Sequence, residues 1–239
     1  MFSTLTFFLS FVGGILPALF WLWFWLGEDR LHPEPRELLI KTFLAGMIAT
    51  LIALTLENGV RAYFPGFSTL SANFWSIPLV AVLATIEEVC KYSAAYFAAL
   101  KRRENDEPID NMIYLITAAL GFVAMENAFF LLSPIQNGNV LDSFITGDLR
   151  FIGSSLLHVI SSSVIGILMA FAFCKLPSIK KTYTIIGVIL AILLHSLFNF
   201  FILMSNDNLF PVFGFVWVGV IVLLLLFERA KRINSSCVY

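Results

Sequence analysis

The chain is expected to fold as an all-α, polytopic transmembrane bundle of about seven helices, and three observations carry that expectation. Hydrophobic residues fill 59% of its 239 positions and charged residues only 13%, about half the share a soluble domain carries. Apolar runs near the roughly 20 residues needed to cross a hydrocarbon core recur from one end to the other. Lysine and arginine, finally, alternate between rich and poor connections, as cytoplasmic and outer loops do.

The runs can be taken in order. The first, about Leu5 to Leu26, follows Met1-Phe2-Ser3-Thr4, which lacks the basic start of a cleaved signal, so it is read as a retained helix. Trp21, Trp23 and Trp25 near its end are read as headgroup anchors, as is Trp75 at the start of the third run. The second runs from about Leu38 to Leu56 after a connection with Arg30, Arg36 and Lys41, and the third from about Phe74 to Leu100, ending at Lys101-Arg102-Arg103. The fourth, about Met112 to Leu132, leads into the longest connection, Ser133 to Arg150, where Pro134, Asn137-Gly138 and Gly147 are turn formers. The fifth covers about Phe151 to Cys174 and the sixth about Tyr183 to Met204, with Lys175, Lys180 and Lys181 between them. The seventh, about Phe210 to Phe227, is the shortest and precedes Arg229, Lys231 and Arg232. Arg61 and Arg150 are the only basic residues in the intervening connections. An odd number of spans with the N-terminus outside and the C-terminus cytoplasmic fits this alternation.

Other classes are disfavoured. With a net charge of -1 and a pI of about 6.3, no segment is basic enough to bind nucleic acid. Cys90, Cys174 and Cys237 lack metal-type spacing and make no disulfide framework. No repeat is evident and the loops are too short for a second domain, so residues 1–239 are read as a single transmembrane unit.

Polar residues inside the runs are what remain to be explained. Glu87 and Glu88 share a helix with Lys91, which lies four and three residues on and so within reach of both. A charge at a helix centre costs about 2.5 to 3.5 kcal/mol in the membrane, and one ammonium cannot neutralise two acids. Glu126 lies in the fourth run, His158 with Ser161-Ser162-Ser163 in the fifth, and His195 with Asn199 one turn on in the sixth. Counting at 1.5 Å per residue puts Glu87 near the midplane and Glu126, His158 and His195 within roughly 2 to 6 Å of it, on the outer side. The bland reading for Asn199 is an interhelical hydrogen bond, and for the serines close helix contact. Desolvating all the acids and imidazoles for structure alone costs stability that leucine would not.

Acids and imidazoles in one low-dielectric pocket can act as general base and acid on water. Two histidines with a glutamate can instead hold a catalytic zinc ion. A third use is a proton relay in a proton- or ion-coupled transporter. The residues leave these routes open.

The motifs add a resemblance. Glu87-Glu88-Val89-Cys90-Lys91, then Phe122 to Glu126 followed by Asn127, then His158 and His195 on successive helices, resemble the PrsW family of intramembrane proteases. Asp29-Arg30-Leu31-His32-Pro33-Glu34-Pro35 resembles that family's entry to its second helix, and the likeness spans about Asp29 to Asn199. It implies a multi-pass protease of a prokaryotic cell membrane, related to the Abi and CAAX-processing clan, with catalytic helices at about 74–100, 112–132, 151–174 and 183–204. The implied partners are the lipid bilayer and a single-pass substrate of the anti-sigma factor type, cut first near the outer side to start a cascade that frees a sigma factor. Carried over residue by residue, Glu87 or Glu88 is the base on water and Lys91 keeps the other acid charged. Glu126, His158 and His195 hold zinc, or else polarise the scissile carbonyl and protonate the amine. Asn199 donates to the oxyanion.

Overall fold

The computed structural model describes residues 3–29, 32–63, 76–139, 150–204 and 210–233. Trp75, Gly147 and Cys237 fall outside these residues. Within them the chain forms α1 (Thr4–Leu26), α2 (Arg36–Tyr63), α3 (Ser76–Ala95), α4 (Asp110–Gln136), α5 (Ser155–Phe171), α6 (Pro177–Met204) and α7 (Phe210–Lys231). One π-type turn, Tyr96–Leu100, continues α3, and another, Arg150–Ser154, leads into α5. No strand occurs among the described residues.

Six helices are long and apolar enough to cross a membrane. The seventh, α3, holds Glu87, Glu88 and Lys91, and its charges set it apart from the others. With its π turn it covers Ser76 to Leu100, about 37 Å at 1.5 Å per residue, so length is no obstacle to crossing.

Several boundaries differ from the apolar runs, each for a local reason. α2 continues past Leu56 to Tyr63, where Glu57, Asn58 and Arg61 line a cavity that also holds other acids and histidines. α4 continues through Pro134 and stops at the Asn137-Gly138 turn, where Gly138 takes a φ of 66°. α6 begins six residues early, at Pro177, whose missing N–H costs nothing at a first helical position. α7 gains a last turn with Arg229 and Lys231, cations suited to a helix C-terminus.

The core is organised around α4. Of its apolar window 72% is buried, against 22% for α6, and it packs on α1, α2, α3 and α5. Its join to α2 is made backbone to backbone. A Cβ at Gly46 would meet the Ala118 carbonyl oxygen, and one at Gly121 would meet that of Phe43. Thr50 Oγ1 adds a hydrogen bond to the Phe122 carbonyl at 2.9 Å. Small residues at such a seam let two helices approach where no hydrophobic force drives them together.

Two of the tryptophans expected at the headgroups pack the core instead. Trp25 is buried and stacks on Phe227 of α7 at 5.5 Å, and Trp21 is buried one turn before it. Only Trp23, 70% exposed, points outward from α1. Cys90 is a free cysteine, half-buried on α3.

Candidate functional site

Four helices bring the buried polar residues together, and α3 supplies the adjacent glutamates. Successive residues on a helix point about 100° apart, so Glu87 and Glu88 cannot share one environment.

Glu88 faces inward and is fully buried. Its Oε1 accepts from Lys91 Nζ at 2.6 Å, from His195 Nδ1 at 2.7 Å and from Ser161 Oγ at 2.8 Å. Its Oε2 accepts from Ser162 Oγ at 3.3 Å. A charge so desolvated is tolerable only with an opposite charge and filled lone pairs, and Glu88 has both. Lys91, also fully buried, donates in addition to His158 Nδ1 at 2.7 Å and lies 5.1 Å from the centre of the Phe122 ring.

Glu87 is placed differently. Its Oε2 is buried and has no hydrogen-bond partner, yet it lies 4.0 Å from Lys91 Nζ, 3.8 Å from His158 Nδ1 and 3.8 Å from His195 Nε2. The two imidazoles meet edge to face with ring centres 4.9 Å apart. Because Glu88 takes the Nδ1 proton of His195, the Nε2 lone pair of that ring is left facing Glu87. A carboxylate that accepts the proton on one ring nitrogen commonly fixes a histidine whose other nitrogen binds a metal.

Glu126 of α4 closes the set, its Oε2 3.3 Å from His158 Nε2. Glu87, His158 and His195 offer ligand atoms that all lie within 4.8 Å of one another. Glu, His, His is a donor set suited to catalytic zinc, and the orphaned oxygen of Glu87 is what such an ion would satisfy. A metal fits here if it takes the His158 lone pair that accepts from Lys91 Nζ, with Glu87 in the group and Glu126 beside it.

These residues line a cavity of about 580 Å3. Its walls come from the C-terminal ends of α2, α4 and α6 and the N-terminal parts of α3 and α5, so it opens toward one end of the bundle. Asn199 lines it one turn beyond His195. Every candidate residue read from the sequence is thus at this one site: Glu87, Glu126, His158, His195 and Asn199 on its surface, Glu88 and Lys91 behind them. Sequence reasoning missed Glu57 and Arg61, which also line the cavity, because the apolar run ends before them. It also read Ser161 and Ser162 as packing residues, although their spacing from His158 places them on the turn that meets Glu88.

A second acidic group lies at the other end of α4. Asp29 and Glu34, from the link between α1 and α2, meet Asp110, the first residue of α4, with ligand atoms again within 4.8 Å. Burial, then the Asp110 and Glu107 carboxylates, push the Asp29 carboxyl up to about 7, and burial likewise raises that of Glu34.

Comparison with known proteins points to one family. A model described as PrsW family intramembrane metalloprotease matches residues 34–227. A Protease PrsW of Clostridioides difficile is 29% identical over 229 residues, covering 95% of this chain and 92% of the relative. One from Halalkalibacterium halodurans is 25% identical, covering 92% and 95%, and one from Geobacillus kaustophilus is 24% identical, covering 93% and 90%. No solved structure matches the chain.

Proposed function

The chain belongs to the PrsW family of intramembrane metalloproteases, and from that premise we propose that its Glu87, His158 and His195 hold a zinc ion in the cavity and that Glu126 works beside them. It is a peptidase and a multi-pass protein of a prokaryotic membrane. The observation that carries the site assignment is the buried, unpartnered Oε2 of Glu87 between two histidines.

Zinc so held supplies Lewis-acid chemistry, lowering the pKa of water toward neutrality and polarising a carbonyl. The chain does the rest. Glu126 accepts a proton from the attacking water and passes it to the leaving amine as the C–N bond breaks. Glu88 fixes the ring of His195, and Lys91 balances the charge of Glu88. Asn199 donates an N–H to the oxygen of the scissile carbonyl as it gains negative charge. Residues 1–239 act as one catalytic unit, with the cavity walls on α2 to α6.

The N-terminus is outside and the C-terminus cytoplasmic in this reading, which the alternation of basic connections supports. The cavity then opens toward the outer half of the bilayer, at the end where α2 finishes and α3 begins. That depth suits a first cut on the outer side of a single-pass substrate of the anti-sigma factor type.

The test is co-expression with such a substrate, together with elemental analysis of the purified protein. Zinc near one per chain should be lost in Glu87→Ala and His195→Ala but kept in Glu126→Gln, with cleavage lost in all three. Zinc retained in Glu87→Ala, or undiminished cleavage by Glu126→Gln, would overturn the assignment.

A further inference from the structure

We propose that Asp29, Glu34 and Asp110 form a second metal site, one for a hard divalent cation, magnesium or calcium, at the end of the bundle opposite the catalytic cavity. Three carboxylates with no nitrogen or sulfur donor make a hard oxygen set, which favours these ions over zinc.

The protein holds each acid in place while leaving ligand capacity free. Asp110 Oδ2 accepts the backbone N–H groups of Asp106 at 2.9 Å and Glu107 at 2.6 Å, and its carboxyl also hydrogen-bonds with that of Glu34, a bond that a cation between them would replace. Glu34 Oε2 accepts from the hydroxyl of Tyr114, one turn along α4 from Asp110. Asp29, 6% exposed, has a buried Oδ2 with no hydrogen-bond partner at all. The orphaned, buried Oδ2 of Asp29 thus sits in a group whose ligand atoms lie within 4.8 Å of one another. Buried acceptors left unmade are rare and need an explanation.

No lysine or arginine among the described residues supplies that explanation. His32 pairs with Glu107 at 2.6 Å, and Lys231 with Glu28 at 2.7 Å and Glu228 at 2.8 Å. None makes an ion pair with the three acids. A cation would bridge the link between α1 and α2 to the start of α4, joining three helices at one point. The inference is independent of the protease reading, so its failure would leave the catalytic cavity as described.

The probe is terbium, which replaces calcium and magnesium at oxygen sites and emits when a nearby tyrosine is excited. Titrated into the chelator-washed full-length protein in detergent, it should give saturable emission sensitised by Tyr114. Calcium or magnesium should displace it, and the tighter competitor identifies the ion. Asp29→Asn should weaken binding at least tenfold, and so should Glu34→Gln, whereas Glu87→Gln should not. Where a variant fails to fold, the thermal midpoint of the wild type decides, rising with added calcium or magnesium if the site exists. No saturable emission, no displacement by either ion, or equal affinity in a folded Asp29→Asn or Glu34→Gln variant would overturn the proposal.

Discussion

Two groups of buried acids lie toward opposite ends of α4, about 24 Å apart along it from Asp110 to Glu126, and they are compensated in opposite ways. Around Glu87 and Glu88 the chain brings its own cations and imidazoles, Lys91, His158 and His195, from three helices. Around Asp29, Glu34 and Asp110 the hydrogen-bond donors among the described residues are neutral, a tyrosine hydroxyl and two backbone N–H groups, and His32 and Lys231 act on Asp29 only through space. The difference follows from depth. Deep in hydrocarbon no counter-charge arrives from solution, so it must be built in. At the bundle's end, close to water, protons or cations can come and go.

The largest effect expected is chemical. Glu87→Gln should lower cleavage by on the order of a thousandfold or more, and in chelator-treated, metal-free protein it should leave the thermal midpoint unchanged, since its Oε2 has no hydrogen bond within the protein to lose. A large fall in midpoint would show that Glu87, like Glu88, holds the bundle together. Next comes the built-in cation. Lys91→Met leaves Glu88 buried and unbalanced, a loss of about 3 to 5 kcal/mol in stability, most of which Glu88→Leu in the same chain should restore. Denaturation of the two variants side by side checks this, and a Lys91→Met protein as stable as the parent would erase the contrast.

The other end should respond to pH instead. The Asp29 carboxyl, raised from an ordinary 3.8 to about 7 in the folded protein, binds its proton more tightly folded than unfolded. Its contribution is therefore full below 3.8 and lost as pH rises through about 7. Chelator-treated protein should melt lower at about pH 8 than at about pH 5, and Asp29→Asn should flatten that slope. Equal slopes would mean that Asp29 does not titrate in this range. The smallest effect is that of Tyr114→Phe, which strips Glu34 of its donor. It should cost roughly 1 to 3 kcal/mol of stability, measured by the same melts, and nothing in cleavage.

How much of this was legible in the chain varies from residue to residue. The seven helices could be read because the bilayer imposes a length and an apolar composition that no fold can evade. That Glu87, Glu126, His158 and His195 come together at one level of the bundle was legible from the rise per residue. Which of the adjacent glutamates faces the cavity did not, since it depends on the rotation of α3 against α2, α4 and α6. Glu57 and Arg61 looked like loop, because polar residues read as the end of a span until a polar cavity is known to face them. Asp29, Glu34 and Asp110 are too far apart along the chain for any local pattern to pair them. Trp21 and Trp25 were taken for anchors, since sequence does not say which side of a helix meets its neighbours.

The glycine seam between α2 and α4 carries a further consequence. With Gly46 and Gly121 against their partners' carbonyls, α2 and α4 are held tightly together within about one turn of the Thr50 and Phe122 that line the cavity. α2 and α6 both line the cavity, and α6 is the less buried. Entry from the bilayer is easiest past α6, and what enters must fit a template that does not yield. A helical substrate meeting a stiff wall has to unwind by itself before its backbone can reach Glu87. Turnover is then expected to track how readily a substrate's helix frays: glycine or proline near the cut speeds it, and an unbroken stretch of leucine slows it.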